Sequence, residues 1–167
     1  MISSNSLRTA LLFVILFFVS STQTTAQQHN QLNADSIAVT KKLNDFLDAF
    51  TSLNWEKFTA CFDDKATAFF PPSAKFTGRA NNKKEVEAIF TKVFDNARKQ
   101  KTGPPYLDIK PTGLDIQVWN STAVASFILD DPDMLGRRTI VLRKHKGNWL
   151  IMHLHASGIP KIASSNN

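Results

Sequence analysis

An α+β domain is the fold class this chain predicts, on three observations. Apolar residues recur at helical spacing only within the first hundred residues. Period-two alternation then takes over from Tyr106 to Ser157. The closing run, Trp149 to Pro160, is apolar on both of its faces if it is a strand. Helices first and sheet second define the class. The two-sided last run adds a demand, because it must be covered by helices on one side and by another layer or subunit on the other.

The first residues are set aside from the fold. Arg8 precedes an unbroken apolar run from Ala10 to Val19, too short to span a bilayer, and Thr24-Thr25-Ala26 supplies the small residues a signal peptidase cuts after. Residues 1–26 are therefore expected to be a cleaved signal peptide, cut after Ala26, and the mature chain to be secreted or periplasmic with no membrane attachment. A flexible tail (27–33), one domain (34–160) and a C-terminal tail (161–167) complete the expected organisation.

Each element has its own signal. Ile37, Leu43, Phe46, Leu47, Phe50 and Leu53 mark an amphipathic helix behind Asn33 or Asp35 as N-cap. Asn54 caps a short second helix carrying Trp55, Phe58, Cys61 and Phe62, ended by Asp63-Asp64. Ala66 to Phe70 reads as a strand stopped by Pro71-Pro72, with Lys75 to Thr77 as a returning partner. Asn82 and Glu85 form a capping box for a long helix to about Lys99. An antiparallel meander follows: Tyr106 to Trp119 in two pieces around Pro111 to Gly113, Thr122 to Asp130 after an Asn120-Ser121 turn, Thr139 to Lys146 after the Asp131-Pro132-Asp133 loop, and the last strand after Lys146-Gly147-Asn148.

Composition removes several functions. The net charge of +6, or +5 once Arg8 leaves with the signal segment, is dispersed over helix faces and hairpin rims, which does not make a nucleic-acid-binding stripe. Cys61 is the sole cysteine and sits among phenylalanines, so no intramolecular disulfide forms and a buried thiol is expected. No Ser-His-Asp spacing, nucleophile elbow, phosphate loop or paired carboxylates occur.

Strict alternation along the last run puts Trp149, Ile151, His153, His155 and Ser157 on one face and Leu150, Met152, Leu154 and Ala156 on the other. Two imidazoles on one face can donate, accept or shuttle protons near neutral pH, or serve as satisfied partners in a core or interface. A metal would need a third ligand; His29 and His145 lie elsewhere, leaving Asp130, Asp131 or Asp133, so no metal and no cofactor is expected. The three tryptophans, Trp55, Trp119 and Trp149, are expected to pack rather than bind.

This order of elements resembles the nuclear transport factor 2-like superfamily, which includes SnoaL-like proteins and ketosteroid isomerase. Within it, Trp55 to Cys61 running into Asp63, Thr67-Ala68-Phe69, Gly78 and above all Trp149-x-x-x-His153-x-His155-x-Ser157-Gly158-x-Pro160 most resemble the association (hub) domain of calcium/calmodulin-dependent protein kinase II and its stand-alone bacterial relatives. The resemblance implies a cone-shaped fold, N-terminal helices packed on a curved, mainly antiparallel sheet, with a pocket in the mouth and the outer sheet face pairing two subunits. Arginines of the hub pocket fall here on Leu129 and Ile140, and glutamates around its Thr-Ala-Phe segment on Phe70 and Pro72, which implies a more apolar pocket. Tyr106, the one tyrosine, does not match the isomerase's first-helix tyrosine, so that mechanism is not carried over.

Three functions remain in view. The first is an exported oligomer whose mostly apolar pocket binds a small molecule, with His153, His155, Phe69, Tyr106 and Arg138 as its expected contacts. The second is an isomerase, cyclase or dehydratase using His153 or His155 as general base. The third is an oligomerisation scaffold. In all three the expected partner is a second copy of the chain, and nucleic acid is not one.

Overall fold

The computed structural model describes residues 31–71, 76, 78–130 and 134–161. The chain divides into two units, Met1–Asp35 and Ser36–Asn167; in the first, residues 31–35 are described and are helical. The expected signal segment, the Lys75–Thr77 partner strand and the Asp131-Pro132-Asp133 loop lie wholly or mostly outside the described residues.

The α+β order holds. Helix α1 occupies residues 31–51, α2 Trp55–Thr59 and α3 Lys83–Gln100. Strands β1 (Phe62–Phe69), β2 (Arg79–Ala80), β3 (Pro111–Trp119), β4 (Thr122–Asp130), β5 (Met134–His145) and β6 (Asn148–Pro160) form one open, curved sheet in the order β2-β1-β6-β5-β4-β3. Among the described strands the β1·β6 pair is parallel and the others are antiparallel. The last strand is internal to the sheet, paired on its two edges by β1 and β5.

Local chemistry explains most boundaries. Asn54 caps α2 by accepting the Lys57 N–H at 3.1 Å. At α3 the capping box closes as spaced: Asn82 Oδ1 accepts the Glu85 N–H at 3.0 Å, while Glu85 Oε2 accepts the Asn81 N–H at 2.8 Å. The β5–β6 hairpin turns through Lys146 (φ 48°) and Gly147 (φ 85°), a left-handed pair that matches the twist of its strands.

Four expectations are corrected. Helix α1 already includes Asn33 and Asp35, so neither is its N-cap, and Ile37 points outward at 65% exposure. Asp63 and Asp64 belong to β1 rather than ending a helix. The segment from Tyr106 to Lys110 is not a strand: the Tyr106 N–H donates to the Thr51 carbonyl at 3.0 Å, an acceptor left over at the end of α1. Most consequential is a bulge in β6. Val141 pairs with His153 and Leu142 with Ile151, so Met152 is an extra residue and the alternation changes phase there. Trp149 and Ile151 consequently share the helix-covered face with Leu154 and Ala156, while His153, His155 and Ser157 face the other way.

The core lies between the helices and this inner face. Phe58 is its centre, with Phe46, Phe50, Trp55, Phe62, Phe90 and Phe94 ringed about it at centroid distances of 4.7–6.2 Å. Cys61 is buried; burial pushes its thiol pKa up, and its Sγ lies 3.3 Å from the Lys57 carbonyl. Trp149 and Trp55 pack as expected, whereas Trp119 is 54% exposed on β3.

Candidate functional site

The aromatic packing stops short of filling the space between α3 and the sheet. A cavity of about 330 Å³ remains, within the range of small-molecule sites. Its floor is Leu154 and Ala156 of β6, and its wall is Phe90, Val93 and Ala97 of α3, three positions spaced to share one helix face. Phe50, Phe70 and Leu107 close the sides. Polar groups are few. Asn96 and Gln100 stand exposed on α3, and Arg138 comes from β5, opposite Ala156.

Arg138 is the one charged residue among the described lining residues. Its Nη1 donates to the carbonyls of Arg137 at 2.9 Å and Ser157 at 3.0 Å, which lays the guanidinium along the strands. Gly136 leaves room for it: a Cβ there would stand 3.1 Å from Nη1 and 3.2 Å from the Leu129 carbonyl, closer than most Cβ contacts, so the guanidinium would have to give by a few tenths of an ångström.

The opposite face of the sheet carries a second constellation. His153 Nδ1 and Thr67 Oγ1 are 2.8 Å apart, and the exposed Phe69 ring contacts both imidazoles, at 5.8 Å from His153 and 5.9 Å from His155. Burial, then the neighbouring charges of His155 and Arg79, hold the His153 pKa below its ordinary value. Arg137, Thr139, His155 and Ser157 border a shallow depression beside it, from two facing cross-strand pairs.

The five residues singled out in the sequence therefore do not form one site. Arg138 lines the cavity; His153, His155 and Phe69 cluster on the far side of the sheet; Tyr106 is half-buried against the core, and its neighbour Leu107 reaches the cavity instead. Leu154 and Ala156 were identified as one face of the last strand, but alternation does not say which face meets the helices. Among the described residues no three His, Cys, Asp or Glu side chains converge as a metal site would require.

Helices covering one face of an open, mainly antiparallel sheet, with a cavity between the layers, define the nuclear transport factor 2-like class. The chain belongs to the SnoaL-like domain family, whose model matches residues 39–161. Similar solved structures include a nuclear transport factor 2-like protein from Pseudomonas putida KT2440 (17% identity, TM-score 0.61, covering 81% of this chain and 93% of that one). A candidate dehydratase of the same fold family from Streptomyces avermitilis matches at 17% identity and TM-score 0.63, over 78% of this chain and 99% of that one. A candidate calcium/calmodulin-dependent protein kinase II association domain from Xanthomonas campestris matches at 18% identity and TM-score 0.53, over 74% and 87%. No curated protein is similar enough in sequence to match.

Proposed function

We propose that the protein binds a small, largely apolar molecule in the cavity between α3 and the sheet, and holds it without turnover. The observation that carries this reading is the cavity itself: about 330 Å³ walled by apolar side chains, with three polar residues and no carboxylate or imidazole among its described lining. The Streptomyces relative points to dehydration as the chemistry to weigh against binding. Proton transfer in this cavity would need a base there, and His153 and His155 stand behind the sheet, so a histidine mechanism would require the substrate on the outer face.

The binding test uses N-phenyl-1-naphthylamine, an uncharged fluorophore that brightens in apolar surroundings. The wild type should bind it saturably, and Ala156→Phe, which plants a ring on the cavity floor, should abolish binding while keeping a cooperative thermal transition. Equal binding by both proteins would remove the cavity from consideration.

Two further parts of the reading are tested separately. Export rests on Ala10 to Val19 and the small residues before Gln27; intact mass from the native host should lack residues 1–26, and their retention would refute it. Pairing of two copies through the outer face rests on the half-buried and exposed apolar groups left there, Val124, Val141, Phe69 and Ile159 among them. Light scattering should give twice the chain mass, and a clean monomer would refute it.

A further inference from the structure

We infer that the outer face of the sheet carries an oxyanion site on β5 and β6, where a phosphate or sulfate group rests three oxygens on Arg137, Thr139, His155 and Ser157 and turns its fourth to solvent. The inference stands apart from the cavity, which lies across the sheet.

The pairing of β5 with β6 builds the site. Arg137 faces Ser157 and Thr139 faces His155, so the four side chains stand at the corners of a patch about 5 Å across the strands and about 7 Å along them. Among the described residues they alone line the shallow depression there, about 340 Å³ in volume. Each corner supplies a donor: a guanidinium, two hydroxyls and an imidazole N–H. None of these four side chains has a hydrogen bond or an ion pair among the described residues, and in this Arg137 differs from Arg138 beside it, which is held by carbonyls. The Phe69 ring, 5.9 Å from His155, steadies the imidazole at the edge of the patch.

The charges nearby narrow the ligand. On the same face, Asp130 of β4 is paired with Lys161, and Asp115 of β3 accepts from Gln117. Asp115 reaches Thr139 only through Ser126 in the cross-strand row, which puts it about 10 Å away. Four donors around the positive charge of Arg137, with no acceptor at any corner, are the complement of an oxyanion. A carboxylate has two oxygens to offer them, whereas a phosphate or sulfate group lays down three. Because the depression is shallow, the fourth oxygen keeps its water, and an ester carried on it meets no wall.

The experiment is calorimetric titration with inorganic phosphate, methyl phosphate and acetate at one fixed ionic strength, since salt screens exposed charges. The wild type should take up one phosphate per chain saturably, bind methyl phosphate within about threefold of it, and bind acetate about tenfold or more weakly. Arg137→Gln should weaken phosphate binding about tenfold or more, the margin of one charge-assisted contact. Thr139→Val, which keeps the shape and removes the hydroxyl, should weaken it about threefold or more, and keeps the test open should Arg137→Gln fail to fold. Arg143→Gln removes the same charge near the far end of β5 and should stay within about twofold of the wild type. Uptake without saturation, or equal weakening by Arg137→Gln and Arg143→Gln, would overturn the site by reducing it to the attraction of a basic protein for any anion. Unchanged binding by Thr139→Val would overturn it too. Acetate bound as tightly as phosphate would overturn the tetrahedral class, and loss of methyl phosphate would overturn the placing of the fourth oxygen. Light scattering on the same samples judges the pairing of copies separately, since both readings use this face.

Discussion

Phe58→Ala should be among the most damaging single substitutions in this domain. The side chain has 0% exposure and touches rings from α1, α2, α3 and β1, the nearest being Phe90 at a centroid distance of 4.7 Å and Phe94 at 5.0 Å. Removing the ring forfeits a transfer term of about 2 kcal/mol. It also opens a void on the order of 100 Å³, which at about 24 cal/mol per Å³ costs roughly another 2 kcal/mol. Because the six surrounding rings belong to four elements that would have to move together to fill the void, relaxation recovers little, and the loss should fall at about 4–5 kcal/mol. For a domain of roughly 130 residues that is a fall of about 15 °C in Tm. Thermal and urea unfolding followed by circular dichroism at one protein concentration are the assay, with Phe69→Ala, whose ring is 42% exposed, as the matched control. A fall below about 4 °C for Phe58→Ala, or an equal fall for both variants, would show that the aromatic cluster does not bear the stability assigned to it.

Two other perturbations test separate parts of the structure. Burial and the charges of His155 and Arg79 lower the His153 pKa from 6.5 in the folded state, so between the folded value and 6.5 the unfolded chain binds more protons. Its contribution to stability is thus complete above about pH 6.5 and is lost as the pH falls below that value; the Tm gap between wild type and His153→Gln should shrink from pH 8 to pH 5, and a constant gap would refute the assignment. Gly136→Ala places a methyl 3.1 Å from Arg138 Nη1 and 3.2 Å from the Leu129 carbonyl, so the guanidinium must shift. The Tm should change by no more than about 4 °C, the loss from crowding being partly offset by a less flexible unfolded chain; a fall beyond about 8 °C would show that the Arg138 side chain cannot give way.

How far the sequence carried the fold depended on whether a signal was local. The capping box at Asn82 and Glu85, the cap at Asn54 and the Lys146-Gly147 turn are each decided within four residues, and each stands where it was expected. Strand β4, Thr122–Asp130, matches its predicted bounds because Asn120 (φ 52°) turns the chain on one side and alternating apolar residues fill the strand. The segment around Tyr106 misled for the opposite reason. Its alternation is genuine, but its N–H groups are taken by Thr51, more than fifty positions earlier, which no local pattern reports.

The site failed in the same way, and two residues show how. Met152 is indistinguishable in sequence from any apolar member of an alternating strand, yet as the bulged residue it reverses the phase of everything before it, carrying Trp149 and Ile151 to the core and parting them from the histidines. Arg137 and Arg138 are adjacent identical side chains, and a period of two guarantees that they point to opposite faces without saying which is which. The register decides: Arg137 pairs with Ser157 on the outer side, and Arg138 with Ala156 over the cavity. Ile140 and Leu142, buried and in phase with Arg138, carried the clue in the sequence; Val141 between them is apolar as well and erased it. A strand apolar on both faces hides its own orientation, so here the chemistry of the cavity follows from the pairing of β5 with β6 and not from the residues of either strand alone.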